Sequence, residues 1–221
     1  MQIEKISINE KEYPQQLKNI YDPPQCLYVL GNKNILNQKG IAIVGSRKCT
    51  NYGKEMAIKI SEELSKNKIN IISGLAIGID SYAHFGNIKI QNNKNEYGKT
   101  IAVLGSGIDQ IYPKQNVELA RKIIQTGGCI ISEYPIGTMP KKEHFPQRNR
   151  IISGLSFGVV IVEAQEKSGA LITADFAVEQ GREVFAIPGD INKKESIGSN
   201  QLIKDGAKMV TSIIDILEEM F

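Results

Sequence analysis

The chain is 221 residues long, 41% hydrophobic and 23% charged, which predicts a globular protein able to bury a core without staples. No run approaches the ~18 apolar residues of a spanning helix, and the polar opening MQIEKISINEKEYPQQ lacks a signal-peptide core. The net charge of +3 identifies no partner by itself, because clustering rather than balance marks a nucleic-acid binder. Cys26, Cys49 and Cys129 are scattered and form no CxxC pair. They argue against a zinc site or a disulfide framework and predict a protein of the reducing cytoplasm.

In chain order, the opening stretch carries Pro14, Pro23, Pro24 and a brief CLYVLG. It predicts an extension over residues 1–38, packed on a core domain of residues 39–221. Six apolar, β-branched runs follow: GIAIVG (40–45), INIIS (69–73), TIAVLG (100–105), GCIIS (128–132), FGVVIVEA (157–164) and EVFAIPG (183–189). They are continuous rather than alternating, as strands covered on both faces read. Helical patterns lie between them, clearest over 53–67, where Met56, Ile60 and Leu64 recur every four residues. Others run over 114–127, 170–181 and 211–221, while residues 86–98 read as an exposed Asn/Lys-rich connection. Strand–helix alternation of this kind predicts an α/β fold with a doubly wound, mostly parallel sheet and helices on both faces. Ligands of such sheets sit outside the carboxyl ends of the strands, near a topological switch point.

The unusual residues fall at those ends. The first strand leads into Gly45-Ser46-Arg47, where a glycine, a helix N-terminus and a guanidinium together suit a phosphate. A tight turn with a solvated arginine accounts for the same residues. The pattern is neither GxGxxG nor GxxxxGK[ST], so neither a dinucleotide cofactor nor ATP is indicated. Glycines Gly74, Gly78, Gly105 and Gly107 recur after the next two strands, as if to keep that edge low and open; plain turn chemistry competes with this. Asp80 and His84 stand four apart on a helix, where a hydrogen bond or ion pair is the better reading than a metal site lacking a third ligand.

Residues 141–150 hold Lys141, Lys142, Arg148 and Arg150 against one acid, Glu143, an excess equal to that of the whole chain. Phe145 sits among them in what reads as a polar loop between Pro140 and Pro146. Cations beside an aromatic suit a single strand, the charges tracking phosphates and the ring stacking on a base. The competing account tucks Phe145 into the core and leaves the lysines as surface. After the fifth strand, Lys167-Ser168-Gly169 opens another helix at the same edge. Glu163, Glu166 and Asp175 are either catalytic carboxylates or caps and counter-charges.

Taken in order, GSRKCTNYG, SGLAIGIDSYAH, GSGIDQIYP, SEYPIGTMPKKEHFPQRNRIISGLS, VVIVEAQEKSGALITADFA and IPGDI…GSNQLIKDGA resemble the DNA-processing protein A (DprA, or Smf) family over about residues 10–210. The resemblance implies an extended Rossmann-like fold, sequence-independent single-stranded DNA binding, a homodimer, and loading of the RecA recombinase onto incoming strands in natural transformation and recombination. It implies no catalytic residue, cofactor or metal. The DNA pocket it implies falls on Gly45, Ser46, Arg47, Gly74, Lys142, Phe145, Arg148, Asn149, Lys167 and Ser168. The helical and winged-helix domains that many members carry lie outside the resemblance. The rival reading is an enzyme, a nucleoside-monophosphate phosphoribohydrolase on a related fold, or a binder of a small nucleotide. Against the enzyme, EKSGALITADFA lacks the PGGxGTxxE of that family.

Overall fold

A computed structural model describes residues 2–91 and 96–220. Nine strands form one sheet: β1 (Glu4–Ser7), β2 (Cys26–Gly31), β3 (Gly40–Val44), β4 (Asn70–Ser73), β5 (Thr100–Leu104), β6 (Cys129–Ser132), β7 (Gly158–Ile161), β8 (Glu183–Ala186) and β9 (Lys208–Met209). Their order is β1-β2-β6-β5-β4-β3-β7-β8-β9. The strands from β3 to β9 run parallel, and β1 and β2 add an antiparallel edge. The chain steps outward from β3 to β6, then returns to lay β7 on the other side of β3. The switch point therefore lies between β3 and β7.

Alternation along each strand divides the core. Ala42 and Val44 of β3 face one side with Val103, Ile131, Val159 and Ile161. That side is covered by α1 (Gln15–Lys18), α5 (His144–Gly154) and α6 (Gly169–Glu179), through Leu17, Ile151, Ile152, Ala174 and Ala177. Ile41 and Ile43 face the other side and meet α2 (Asn51–Lys66), α3 (Ile79–Lys89) and α8 (Ile214–Met220) through Leu64, Ile79 and Ile216. Further along that face, α4 (Val117–Gln125) seats Ala120 and Ile123 on Ala102, Leu104 and Ile130. A last helix, α7 (Ile197–Lys204), precedes β9. Burial on both faces is the physical reason the central runs are apolar throughout.

The α/β class and the doubly wound, mostly parallel sheet are those expected. The segment up to residue 38 supplies two strands to the sheet, with Val29 opposite Ile131. Two local readings need correction. The connection expected over 86–98 begins inside α3, which continues to Lys89, and its residues 92–95 lie outside those described. The stretch read as a polar loop around Phe145 is the first turn of α5. Pro146 is the third residue of that helix, where a missing N–H costs no intrahelical bond.

Candidate nucleic-acid interface

The carboxyl ends of β3 and β7 open into a cleft of about 780 Å³ whose walls come from the loops after β3 to β7 and from α3, α5 and α6. Gly45, Ser46, Arg47, Lys142, Phe145, Arg148, Asn149, Lys167 and Ser168 line it. Gly74, the remaining residue of the expected set, lies behind this wall as the partner of Arg148. Lys48, Tyr112, Gln165 and Ile172 line the cleft as well and were not anticipated. Lys48 was legible, since it directly follows Arg47; Tyr112 gave no signal, because a lone tyrosine in a Gly/Ser loop reads as ordinary surface.

Arg47, Lys48, Lys142 and Lys167 are exposed. Among the described residues, no carboxylate lies within ion-pair distance of any of them. The other cations of the basic run are engaged. Arg150 makes a two-pronged pair with Glu133, both bonds 2.7 Å, and a further bond to Asp22 at 3.1 Å. Glu133 and Asp22 raise it above its ordinary value, against the lowering by burial, which is the largest effect.

Arg148 is buried, 4% exposed. Its Nη1 donates to the carbonyls of Gly74, at 2.7 Å, and of Val103. Asp80, also buried, faces it and accepts from Gly74 N–H at 3.1 Å. Burial pulls Arg148 down to about 10, with Asp80 opposing, so it stays charged at neutral pH. The same burial pushes Asp80 up, with Arg148 and the amides of Gly74 and Ala76 opposing. Arg148 is thus a strut under the cleft rather than the free cation that the charge count implied. Asp80 and His84 do not pair with each other as expected: Asp80 turns to Gly74 N–H and the charge of Arg148, and His84 Nδ1 meets Thr100 Oγ1 at 2.6 Å. Burial drives the His84 ring down to about 3.

Phe145 is half-buried. The Arg47 guanidinium stands 5.6 Å from its ring centre, Arg148 6.0 Å, and the Tyr112 ring 5.6 Å at a tilt of 38°. One face of a flat ring is thereby carried at the cleft wall, flanked by positive charge.

The edge glycines prove small for internal reasons. A Cβ on Gly45 would press on Ile79 and the Glu163 carbonyl, and one on Gly74 on Arg148 and Asp80. A Cβ on Gly105 would stand 3.0 Å from Phe145. Protein groups, not an open edge, fill that space.

The two helix N-termini beside the cleft differ. At α2 the Thr50 side chain accepts from Gly53 N–H at 3.2 Å. The carboxylate of Glu163, 3% exposed, accepts from the Thr50 amide at 2.8 Å and from its hydroxyl. A carboxylate already answers that end of the dipole, so the phosphate-binding helix end expected after Arg47 is closed. At α6 the Ser168 side chain accepts from Ala170 N–H at 3.3 Å, and the first turn holds no acid. Gly169 has open space around it. Of the carboxylates considered for catalysis, Glu163 is a cap, and Glu166 and Asp175 are exposed and do not line the cleft. Among the described residues, no His/Cys/Asp/Glu group able to hold a metal is present.

A doubly wound sheet with a cationic, aromatic cleft at its switch point defines a class of α/β proteins whose site suits a ligand carrying phosphates and flat rings. The family model for DNA recombination-mediator protein A matches residues 4–221, and the chain belongs to that family. It is 45% identical to the DNA processing protein DprA of Bacillus subtilis over 99% of this chain and 71% of that one. The crystal structure of DNA processing protein A from Streptococcus pneumoniae superposes with a TM-score of 0.89 at 44% identity, covering 99% of this chain and 75% of that one. The Helicobacter pylori protein, whose structure was described for its single-stranded DNA binding mode, gives a TM-score of 0.85 at 32% identity over 100% and 96% of the chains. Among the described residues, no helix is long and apolar enough to cross a membrane.

Proposed function

We propose that the cleft binds single-stranded DNA without sequence preference and without chemistry on it. One observation carries the reading: four exposed cations, Arg47, Lys48, Lys142 and Lys167, with no carboxylate within ion-pair distance among the described residues, line the same cleft as a half-buried phenylalanine ring. Phosphates meet the cations, together with Ser46, Ser168, Asn149 and the first amides of α6, while a base stacks on Phe145. Gly45, Gly74 and Arg148 belong to the site as its floor. Among the residues lining the cleft the one carboxylate is Asp80, which is buried and accepts from Gly74 N–H, so it is not presented to a ligand as a general base.

Family membership and the Helicobacter pylori relative support the polymer reading. It takes RecA as the partner to which the bound strand is passed in transformation and recombination, a homodimer as the working form, and the cytoplasm as its place. All cleft residues fall within 39–221, so residues 1–38 act as a structural extension of the DNA-binding domain. A gel shift with labelled oligo-dT against duplex of equal length tests the reading, with light scattering for the dimer. Preference for the single strand and a dimer mass are expected. Equal affinity for duplex, or release of ribose phosphate from nucleoside monophosphates, overturns it.

A further inference from the structure

We propose that Tyr112 is a second base-stacking residue, and that together with Phe145 it seats two consecutive bases. The inference rests on the cleft being the strand-binding site.

Tyr112 lines the cleft and is 46% exposed. Its hydroxyl has no hydrogen-bond partner among the described residues, so the phenol is not held for a polar contact of its own. The loop beneath it is fixed. Ser106 Oγ donates to Gln110 O at 2.7 Å, Gln110 N–H to Gly107 O at 2.8 Å, and Gly107 N–H to Thr138 O at 2.8 Å. Asp109 accepts from Gly137 N–H at 2.8 Å, which ties the loops after β5 and β6 together. Downstream, Asn116 Nδ2 donates to Leu75 O and to Ser81 Oγ, each at 2.8 Å, anchoring the segment to α3 and the loop before it. The neighbouring Ile111 packs on the core beneath α4.

A large ring left half in solvent on a rigid loop gives contact area at little entropic cost on binding. Its ring stands 5.6 Å from that of Phe145 at a tilt of 38°, and nearly half of its surface is open to solvent. The two rings form one continuous aromatic surface beside Arg47, whose cation can hold the phosphate between two bases. Stacking accepts any base, so a second ring raises affinity without introducing sequence preference.

The alternative is that Tyr112 only props Phe145, and a double-mutant cycle separates the two. Tyr112→Ala is expected to weaken oligo-dT binding roughly 5- to 150-fold, as for loss of one stacked base. Tyr112→Phe and Tyr112→Trp bind like the parent, and Tyr112→Ala still weakens binding when added to Phe145→Ala. On the unaltered protein, single abasic positions scanned through the shortest oligo-dT of full affinity weaken binding at two adjacent positions. A parent-like Tyr112→Ala, a loss that vanishes in the Phe145→Ala background, or a single sensitive abasic position overturns the proposal. Should Tyr112→Ala fail to fold, the Tyr112→Phe variant and the abasic scan decide. If Arg47→Ala and Phe145→Ala weaken binding and Tyr112→Ala does not, this inference alone falls. If all three bind like the parent, the cleft itself has been misread.

Discussion

Replacing Asp80 with asparagine removes the carboxylate facing Arg148 while keeping the side chain's shape and an acceptor for Gly74 N–H. The guanidinium, 4% exposed, then keeps two backbone carbonyls but has no counter-charge. Breaking a buried pair at one partner costs about 3–5 kcal/mol. Because the carbonyl bonds remain and the two groups face each other without a direct salt bridge, the lower end applies, about 3 kcal/mol. For a chain of this size each kcal/mol moves Tm by roughly 2–4 °C, so a drop of roughly 6–12 °C is expected. Arg148→Met leaves Asp80 buried and alone and is expected to fall similarly. The double variant should lose less than the sum, because it removes both charges. Calorimetry gives the three melting temperatures, and anisotropy with oligo-dT below each transition gives the salt slope. A strut predicts a parental slope for Arg148→Met. An unchanged Tm with a slope flatter by about 0.7, one single-strand phosphate contact, would show that Arg148 meets the strand and would refute the reasoning.

Phe145→Ala is expected to lose roughly 1–3 kcal/mol of oligo-dT affinity, with a stability loss below the roughly 3–5 kcal/mol of a fully buried ring; a destabilised variant whose folded fraction binds normally would remove the ring from the site. Arg47→Ala and Lys142→Ala should each weaken binding equally on every sequence and flatten the salt slope by about one contact, because a phosphate contact carries no sequence information; parental binding by a folded variant excludes that residue. His84 is held down to about 3 by burial, so between that value and the unfolded ~6.5 the unfolded chain binds the extra proton and stability falls with falling pH. From pH 7 to pH 5 His84 accounts for roughly 2 kcal/mol, and denaturant titrations of the parent and His84→Gln at both pH values should differ by that amount; identical pH slopes would contradict it.

The sheet was legible because its central strands are buried on both faces, and a run such as Ile41–Val44 has no other use for four apolar residues. The lead-in was less so: β1 has four residues, Glu4–Ser7, of which only Ile6 is buried, too few for a pattern. Helix α5 hid behind Pro146 and a polar first turn, its apolar stripe beginning only at Ile151. Arg148 was misjudged for a deeper reason. A charge count treats every arginine as solvated, and the partners that bury this one, Gly74, Asp80 and Val103, lie on other elements far away in the chain. Glycine carries the same ambiguity, since Gly45, Gly74 and Gly105 look alike in sequence whether a ligand or a protein side chain fills the missing Cβ.

Where the phosphates lie follows from the two helix ends at the switch point. Glu163 reaches from the end of β7 to the start of α2 and fills the place of an anion there; Gly53, lacking a Cβ, leaves it room. A phosphate brought to that helix end would meet a buried carboxylate, and like charges in a low-dielectric site repel strongly. The α6 end has no such occupant, carries Lys167 beside it, and has Lys142 and Arg47 lining the same cleft. The aromatic surface of Phe145 and Tyr112 borders the cleft along the first turn of α5 and the loop after β5. A single strand satisfying both requirements runs with its backbone toward α6 and its bases toward the rings. A duplex, whose bases are already stacked and paired, has no face to offer those rings, and the strand preference follows from that.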